Sequence, residues 1–315
     1  MADLPPSATV AILTFNGEEY LDDILSALDQ QDYPGDFDVL VVDSGSNDRT
    51  LDIVRAHPSV RLHEIPNEEF SHGRTRNLAA QLATGEIVAY LTHDAVPVGA
   101  RWLAAIAAPF ADERVAAVLG KQVARPSAPP ALKYDIARVF ARQGQDGVVT
   151  VHEDDGTLDE EERRIATFYS DAASAARRSI LLGEIPYRDV DYAEDQVFGR
   201  EVIAAGYRKA YAPDAVVEHS NDGTLRDFGA RIAADLTGLR DIGTPIPPVS
   251  RFAAFKAWAR WTLADTGRIL TDRDYGWGRR LYWLIVNPAY QAVKWSSYRG
   301  ASLRTPSSPA GRQTT

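Results

Sequence analysis

Several clusters in this 315-residue chain combine residue types and spacing suited to anion binding, metal binding and proton transfer. The run Glu69-Phe70-Ser71-His72-Gly73-Arg74-Thr75-Arg76-Asn77 puts His72, Arg74 and Arg76 at the start of a helical pattern. A helix N-terminus already favours anions. Arginines there either point to solvent or hold a diphosphate or base, and their bidentate donors favour the second. Thr92-His93-Asp94 ends an apolar run. Asp94 is either a hydrogen-bonded strand end or a ligand for Mg2+ or Mn2+, with phosphate oxygens completing the shell. The neighbouring His93 tilts the choice towards a transition metal. Asp43 closes the run DVLVVD before Ser44 and Gly45. The amides there can face an anion, although a strand-end Asp also serves as a helix cap. Glu194-Asp195 opens a helical pattern, as dipole partners or as the source of a general base. His219, after Val216-Val217-Glu218, is either a metal or phosphate ligand or a structural residue.

These residues must be carried by elements that bring them together. Residues 10–15, 38–43, 60–65, 87–92 and 115–122 read as short buried strands. Helical patterns fall at 18–30, 49–56, 74–83 and 101–108, the first opening on a capping-box-like Asn16 and Glu19. Continuous apolar strands alternating with helices indicate an α/β fold whose mostly parallel, Rossmann-like sheet is flanked by helices. Ligands of such sheets bind beyond the carboxyl ends of the strands, where Thr14-Phe15-Asn16, Asp43-Ser44-Gly45 and Thr92-His93-Asp94 all lie. Neither G-x-G-x-x-G after the first strand nor G-x-x-x-x-G-K-[ST] is present, which argues against the usual dinucleotide and P-loop solutions. Beyond the break at 126–130, the acidic stretch 144–162 reads as a mobile loop. A strand at 168–173, a helix at 193–205 and strands at 207–211 and 215–219 follow. After Gly243 the chain passes through Pro245, Pro247 and Pro248 into a helical, aromatic and basic region, which places a catalytic domain at 1–243 and an extension at 244–315. Its last dozen residues read as disordered.

The net charge of −10 is unevenly distributed: residues 251–315 hold 11 Lys/Arg against 3 Asp/Glu. An acidic body argues against nucleic acid as partner. The extension interleaves arginines with Trp258, Trp261, Trp277, Trp283 and Trp295. That pattern suits an anionic membrane surface, and equally suits packing against the catalytic domain or across a homodimer. No cysteine is present, which removes disulfides and thiolate chemistry and fits a reducing compartment. The first nine residues lack signal-peptide character, and the best apolar run, 281–293, is interrupted by Asn287, Pro288 and Gln291. A cytoplasmic protein, peripheral at most on the inner face of the plasma membrane, is expected.

The ordered set of TFN, VVDSGSNDRT, HGRTRN, a strand ending in an acidic motif, and an ED pair before a helix resembles family 2 glycosyltransferases of the GT-A fold, over about residues 8–235. EFSHGRTRN, YLTHDAVP, FYSDAASAARRS and AEDQVFGREVIAAGYRKAYAPDAVVEHS resemble the bacterial rhamnosyltransferase branch, which uses dTDP-L-rhamnose to build surface polysaccharides. The resemblance implies that Thr14, Asn16 and Glu18 line the nucleoside pocket and Asp43 binds the base. Arg74, Arg76 and Asn77 would lie by the base and diphosphate, with Ser44, Gly45, His72, His93 and Glu194 completing the nucleotide-sugar site. Asp94 and His219 would hold a divalent metal, Mg2+ or Mn2+, and Asp195 would be the catalytic base of an inverting transfer to a saccharide or lipid-linked acceptor. The acidic motif departs from the family's usual pair of aspartates, because Thr92 stands where one is common. The Q-x-x-R-W signature of processive members is absent, which implies single-sugar addition. Two alternatives remain: the same fold with a UDP-hexose donor, and a non-catalytic scaffold for polysaccharide assembly.

Overall fold

The computed structural model describes residues 5–220 and 223–303. In chain order the elements are β1 (Ala8–Thr14), α1 (Leu21–Asp29), β2 (Phe37–Asp43), α2 (Thr50–Ala56), β3 (Val60–Glu64), α3 (His72–Leu82), β4 (Ile87–Thr92), β5 (Val96–Pro97), α4 (Trp102–Ala107) and β6 (Val115–Val123). There follow α5 (Pro130–Ala141), β7 (Thr150–His152), α6 (Glu160–Thr167), β8 (Ala173–Arg177), α7 (Arg178–Leu182), α8 (Glu194–Ala204) and β9 (Arg208–Glu218). The last helices are α9 (Leu225–Asp241), α10 (Arg251–Thr271) and α11 (Trp277–Ser302). The chain divides into two compact units, one of residues 1–125 and 136–220, the other of residues 126–135 and 221–315. The composition change at Gly243 falls one helix later than this division, since α9 belongs to the second unit.

The first unit is built on one sheet of strand order β3-β2-β1-β4-β8-β6-β9-β5, with β7 paired to β9. Alternate residues of each strand face opposite sides. Val10, Ile12, Val39 and Val41 pack with Leu21, Ile24 and Leu25 of α1 and Trp102 of α4. Ala11, Leu40, Val42 and Tyr90 pack on the other side with Ala79 of α3 and Phe198 of α8. Burial on both sides is why these strands read as unbroken apolar runs. β3, β2, β1 and β4 are parallel, as expected. β8 corrects the rest: it runs antiparallel to both β4 and β6, while β6 and β9 are again parallel. The start of β8 therefore lies at the edge where β1, β2, β4, β6 and β9 carry their carboxyl ends.

Other expectations need correction. The acidic stretch 144–162 is not a loop throughout, since β7 pairs with β9 and Asp159 with Glu162 forms a capping box that starts α6. The strand expected at 168–173 lies at Ala173–Arg177, where ASAAR contains no β-branched residue to signal it. The two strands expected at 207–219 are one, β9, whose register against β6 shifts between Gly120 and Lys121 as Pro213 and Asp214 pass. Asn16 and Glu19 form no capping box: α1 starts at Leu21 after Tyr20, and Asn16 adopts a left-handed φ of 51°.

In the second unit the helices expected after Gly243 form as α10 and α11, and α9, which was not expected, precedes them. Thr224 with Asp227 caps α9 and Ser250 caps α10, while α11 contains Pro288. Ala131, Tyr134, Ile269, Tyr275, Trp283 and Tyr290 make its core. Across the α10–α11 pair, Trp258 Nε1 donates to the Pro288 carbonyl (2.9 Å), and Gln291 Nε2 donates to the buried Asp265 carboxylate (2.6 Å). No described helix is long and apolar enough to cross a membrane. Residues 304–315, expected to be disordered, lie outside the described residues.

Candidate active site

The loops after β1 and β2 are laced together. The buried Asp43 carboxylate accepts from the Thr14 hydroxyl (2.9 Å), the Gly45 amide (3.0 Å), and the amide and hydroxyl of Ser46 (2.9 and 2.5 Å). Gly45 turns with φ 82°, a conformation costly for other residues. Ser44 Oγ donates to the Thr14 carbonyl (3.0 Å), and Asn16 Oδ1 accepts from the Asn47 amide (2.9 Å). Glu18 accepts from the Arg49 backbone amide (3.1 Å) and lies 3.2 Å from its guanidinium. A Cβ on Gly17 would sit 3.1 Å from the His93 side chain, so the β1 loop rests on the residue beside Asp94. Thr14, Asn16, Glu18, Asp43, Ser44, Gly45 and His93 thus gather at the carboxyl edge of the sheet. Asp43, however, is enclosed by protein donors and fully buried.

Asp94 and His219 meet as expected, with Asp94 Oδ2 3.4 Å from His219 Nε2. His219 Nδ1 lies 3.0 Å from Gln122 Oε1, an oxygen that only accepts, so Nδ1 carries the proton. The other face of the same amide donates to Ser170 Oγ (2.9 Å). Burial opposes ionisation of Asp94, but the hydrogen bond and charge of His219 outweigh it and hold the carboxyl well below the usual range. Arg125, buried, donates to the carbonyls of Asp94 and Ser220 (the latter 2.6 Å), and its guanidinium lies 3.7 Å from the Tyr20 ring centroid. The ends of β4, β6 and β9 are fastened to each other in this way.

This pair fits a divalent cation. It offers one ionised oxygen and an imidazole nitrogen whose ring is oriented by a second hydrogen bond, the usual arrangement of a ligating histidine. Imidazole suits Mn2+ better than Mg2+. No group of three His, Cys, Asp or Glu side chains suited to a metal occurs among the described residues. Further ligands would have to come from phosphate or water.

The HGRTRN motif behaves differently from expectation. Arg76 is buried: its Nε lies 2.7 Å from Asp171 Oδ2, and its Nη1 donates to Glu194 Oε1. Asn77 exchanges two hydrogen bonds with the Tyr187 backbone (2.8 and 2.9 Å). Arg76, Asn77 and Glu194 are therefore engaged inside the protein, not turned to a diphosphate. An arginine desolvated without carboxylate partners would be far costlier than one paired to two. Arg74 is exposed and lies 3.4 Å from Asp189. His72 is exposed too, edge-on to Phe70, with Nδ1 4.0 Å from Glu194. The part of its ring that is covered lowers its pKa, Glu194 opposing the effect and Arg76 adding to it. Gly73 has a packing reason: a Cβ there would stand 2.1 Å from the Arg188 carbonyl oxygen.

Around Arg76 three carboxylates assemble. Asp171, at the entry to β8, accepts from Ser174 Oγ (2.6 Å) and Tyr187 Oη (2.9 Å). Its own amide faces Asp195 Oδ2 at 3.4 Å. Burial, then Asp171 and Glu194, push Asp195 up to about 8, against Arg76. Asp171, Gln122 and Arg125 were not singled out from sequence. Asp171 lies in FYSDAASAARRS, but its place at the carboxyl edge of the sheet depends on the reversal of β8. Gln122 also joins the two halves of the site, bridging His219 to Ser170, the residue before Asp171.

Comparison with known proteins agrees with this geometry. The family Glycosyl transferase family 2 matches residues 9–181, and the chain belongs to it. The O-antigen chain rhamnosyltransferase RfbN of Salmonella typhimurium is 32% identical over 224 residues, covering 70% of this chain and 68% of the relative. WbaN of Salmonella anatum, described in the same words, is 32% identical over 227 residues with the same coverage. Among solved structures, the mannosyltransferase PcManGT of Pyrobaculum calidifontis in complex with GDP-Man and Mn2+ aligns with TM-score 0.61 at 22% identity, over 95% of this chain and 86% of that one. Staphylococcus aureus TarS 1–349 in complex with UDP-GlcNAc aligns with TM-score 0.51 at 18% identity, over 94% and 90%. These likenesses show a shared GT-A fold, and the protein is a glycosyltransferase.

Proposed function

We propose that the enzyme moves L-rhamnose from dTDP-L-rhamnose, with inversion, to a hydroxyl of a saccharide or lipid-linked saccharide in surface polysaccharide synthesis at the cytoplasmic side of the membrane. The observation that carries it is the meeting of Asp94–His219 and Asp171–Asp195 at one sheet edge, joined through Gln122 and Ser170. The two Salmonella relatives named as rhamnosyltransferases support the choice of sugar.

In this reading Thr14, Asn16, Glu18 and the 43–46 turn form the nucleoside side of the site, with Arg74 and His72 the exposed donors nearest the start of α3. Asp94 and His219 hold Mn2+ or Mg2+, which when bound neutralises charge developing on the diphosphate. Ionised Asp195 takes the acceptor hydroxyl proton as that oxygen bonds to the anomeric carbon. The bond from that carbon to the diphosphate oxygen breaks on the opposite face, and dTDP leaves with the electron pair. Asp43 supports the nucleoside loop from beneath, through its own hydrogen bonds.

The test is transfer and hydrolysis against a panel of dTDP-rhamnose, UDP-glucose, UDP-GlcNAc and GDP-mannose with Mn2+, run with the Asp195→Ala variant. Preference for dTDP-rhamnose, and a loss of about 10²–10⁴ in rate with donor binding retained, are expected. A UDP-sugar preference overturns the donor, and near-normal transfer by Asp195→Ala overturns the base. Failure to bind any nucleotide sugar would leave a scaffold.

A further inference from the structure

The second unit carries a surface that glycosyl transfer does not require. Of the exposed large hydrophobic residues, those on α10 and α11 are the most open: Phe252 71%, Leu263 75%, Trp277 72% and Ile285 79%. They follow helical spacing. Phe252, Phe255 (59% exposed) and Leu263 fall on one stripe of α10, and Trp277, Leu281 (61% exposed) and Ile285 recur every fourth residue on α11. Other faces of the same helices are buried, with Asp265 and Ile269 on α10 and Trp283, Asn287, Tyr290 and Gln291 on α11. The stripes are therefore a second, unpartnered face of helices already packed, in a regular row rather than scattered singly.

The charge around these stripes identifies what covers them. Lys256 sits beside Phe252, its Nζ 5.7 Å from the ring centroid, and Arg260 lies one turn further along the same side. Neither forms an ion pair with a carboxylate among the described residues. Arg280 lies 5.1 Å from the Trp277 ring centroid. The surrounding segment 251–315 holds 11 Lys/Arg against 3 Asp/Glu, in a chain whose total is −10. Exposed aromatic and aliphatic side chains with unpaired cations beside them match the interface of a bilayer with anionic headgroups. An isologous dimer through the same side would instead press two strongly basic segments together. Since no described helix can cross a membrane, these helices would lie in the interface plane.

We propose that the α10–α11 pair docks the enzyme on an anionic lipid surface, with Phe252, Phe255, Trp277 and Ile285 entering the headgroup region and Lys256 and Arg260 pairing with lipid phosphate. The surface stands apart from the donor assignment, and the test separates the two. The full chain is floated with vesicles of phosphatidylcholine alone or containing phosphatidylglycerol, and donor hydrolysis is followed separately. Binding only to phosphatidylglycerol vesicles is expected, weakening as salt rises. Lys256→Glu/Arg260→Glu should lower partitioning at least about 25-fold, taking about fivefold per basic residue removed. Phe255→Ser/Trp277→Ser should also detach the protein, and both variants should keep wild-type donor hydrolysis. Equal flotation with neutral vesicles, flotation unchanged by either variant, or no flotation overturns the proposal. So does light scattering that shows a dimer lost in Phe255→Ser/Trp277→Ser without lipid binding.

Discussion

Asp171→Asn probes the proposed general base, Asp195, most directly, because it removes one charge beside it while keeping the shape of a side chain that holds Ser174 and Tyr187. A general base works only when ionised, and the Asp195 carboxyl is held up to about 8 by burial, then Asp171, then Glu194. Below that pH the rate should therefore rise about tenfold per pH unit, levelling above it. Neutralising Asp171 removes the larger of the two charge contributions, and a neighbouring charge of this kind shifts a carboxyl by roughly one to three units. Taking the smallest of these, the ionised fraction of Asp195 at pH 6.5 rises from about 3% to about 24%, an eightfold gain in the base form. The variant should thus be faster than wild type at pH 6.5 and similar at pH 9. The assay is kcat/KM for donor turnover from pH 5.5 to 9.5 at saturating Mn2+, which reports the free enzyme. An acid limb that stays in place, or moves to higher pH, would refute the coupling between Asp171 and Asp195.

Three further outcomes follow from the same geometry. Asp195→Asn should remove a pH-dependent instability: the folded carboxyl keeps its proton to about 8 while an unfolded one loses it near 3.9, so wild-type stability is full below the lower value and falls as pH rises through the higher. The variant's Tm advantage by calorimetry should accordingly be larger at pH 9 than at pH 5. Gln122→Leu, which strips the His219 imidazole of its orienting acceptor, should weaken Mn2+ binding about 10–100-fold, read by electron paramagnetic resonance of free Mn2+ without any turnover. Gly73→Ala, placing a Cβ 2.1 Å from the Arg188 carbonyl oxygen, should cost more than about 2 kcal/mol and lower Tm by several degrees; a Tm within a degree of wild type would show that this segment yields.

The residues explain why part of this was legible beforehand. Strands β1, β2 and β4 are buried on both faces, so ILT, VLVV and IVAYL announce themselves, and the acids that follow them sit at the working edge. β8 has only ASAAR, whose small side chains fit between two neighbouring strands but carry no propensity signal. Its reversed direction, and hence the place of Asp171, depends on pairings that no local pattern encodes. The meeting of Asp94 with His219 was anticipated from the family resemblance, which assigned both to one metal site. The burial of Arg76 was not, since its two carboxylate partners lie about a hundred residues away in sequence. A motif rich in donors looked like a ligand clamp, yet only Arg74 and His72 of its cations face outward.

The reversal of β8 also bears on how the chain acquires its site during folding. β1, β2 and β3 pair across fewer than about thirty residues, joined by short helices, so the loops after β1 and β2 can form soon after that stretch is synthesised, before β4 joins β1 across about eighty residues. Leu91 meets Ala173 only after a closure of about eighty residues, and the entropy of such a loop must be overcome before the pairing yields any stabilisation. Asp171 and Asp195 thus enter after the loops of β1 and β2 are in place, and a nascent chain stopped before β8 would lack both of these carboxylates.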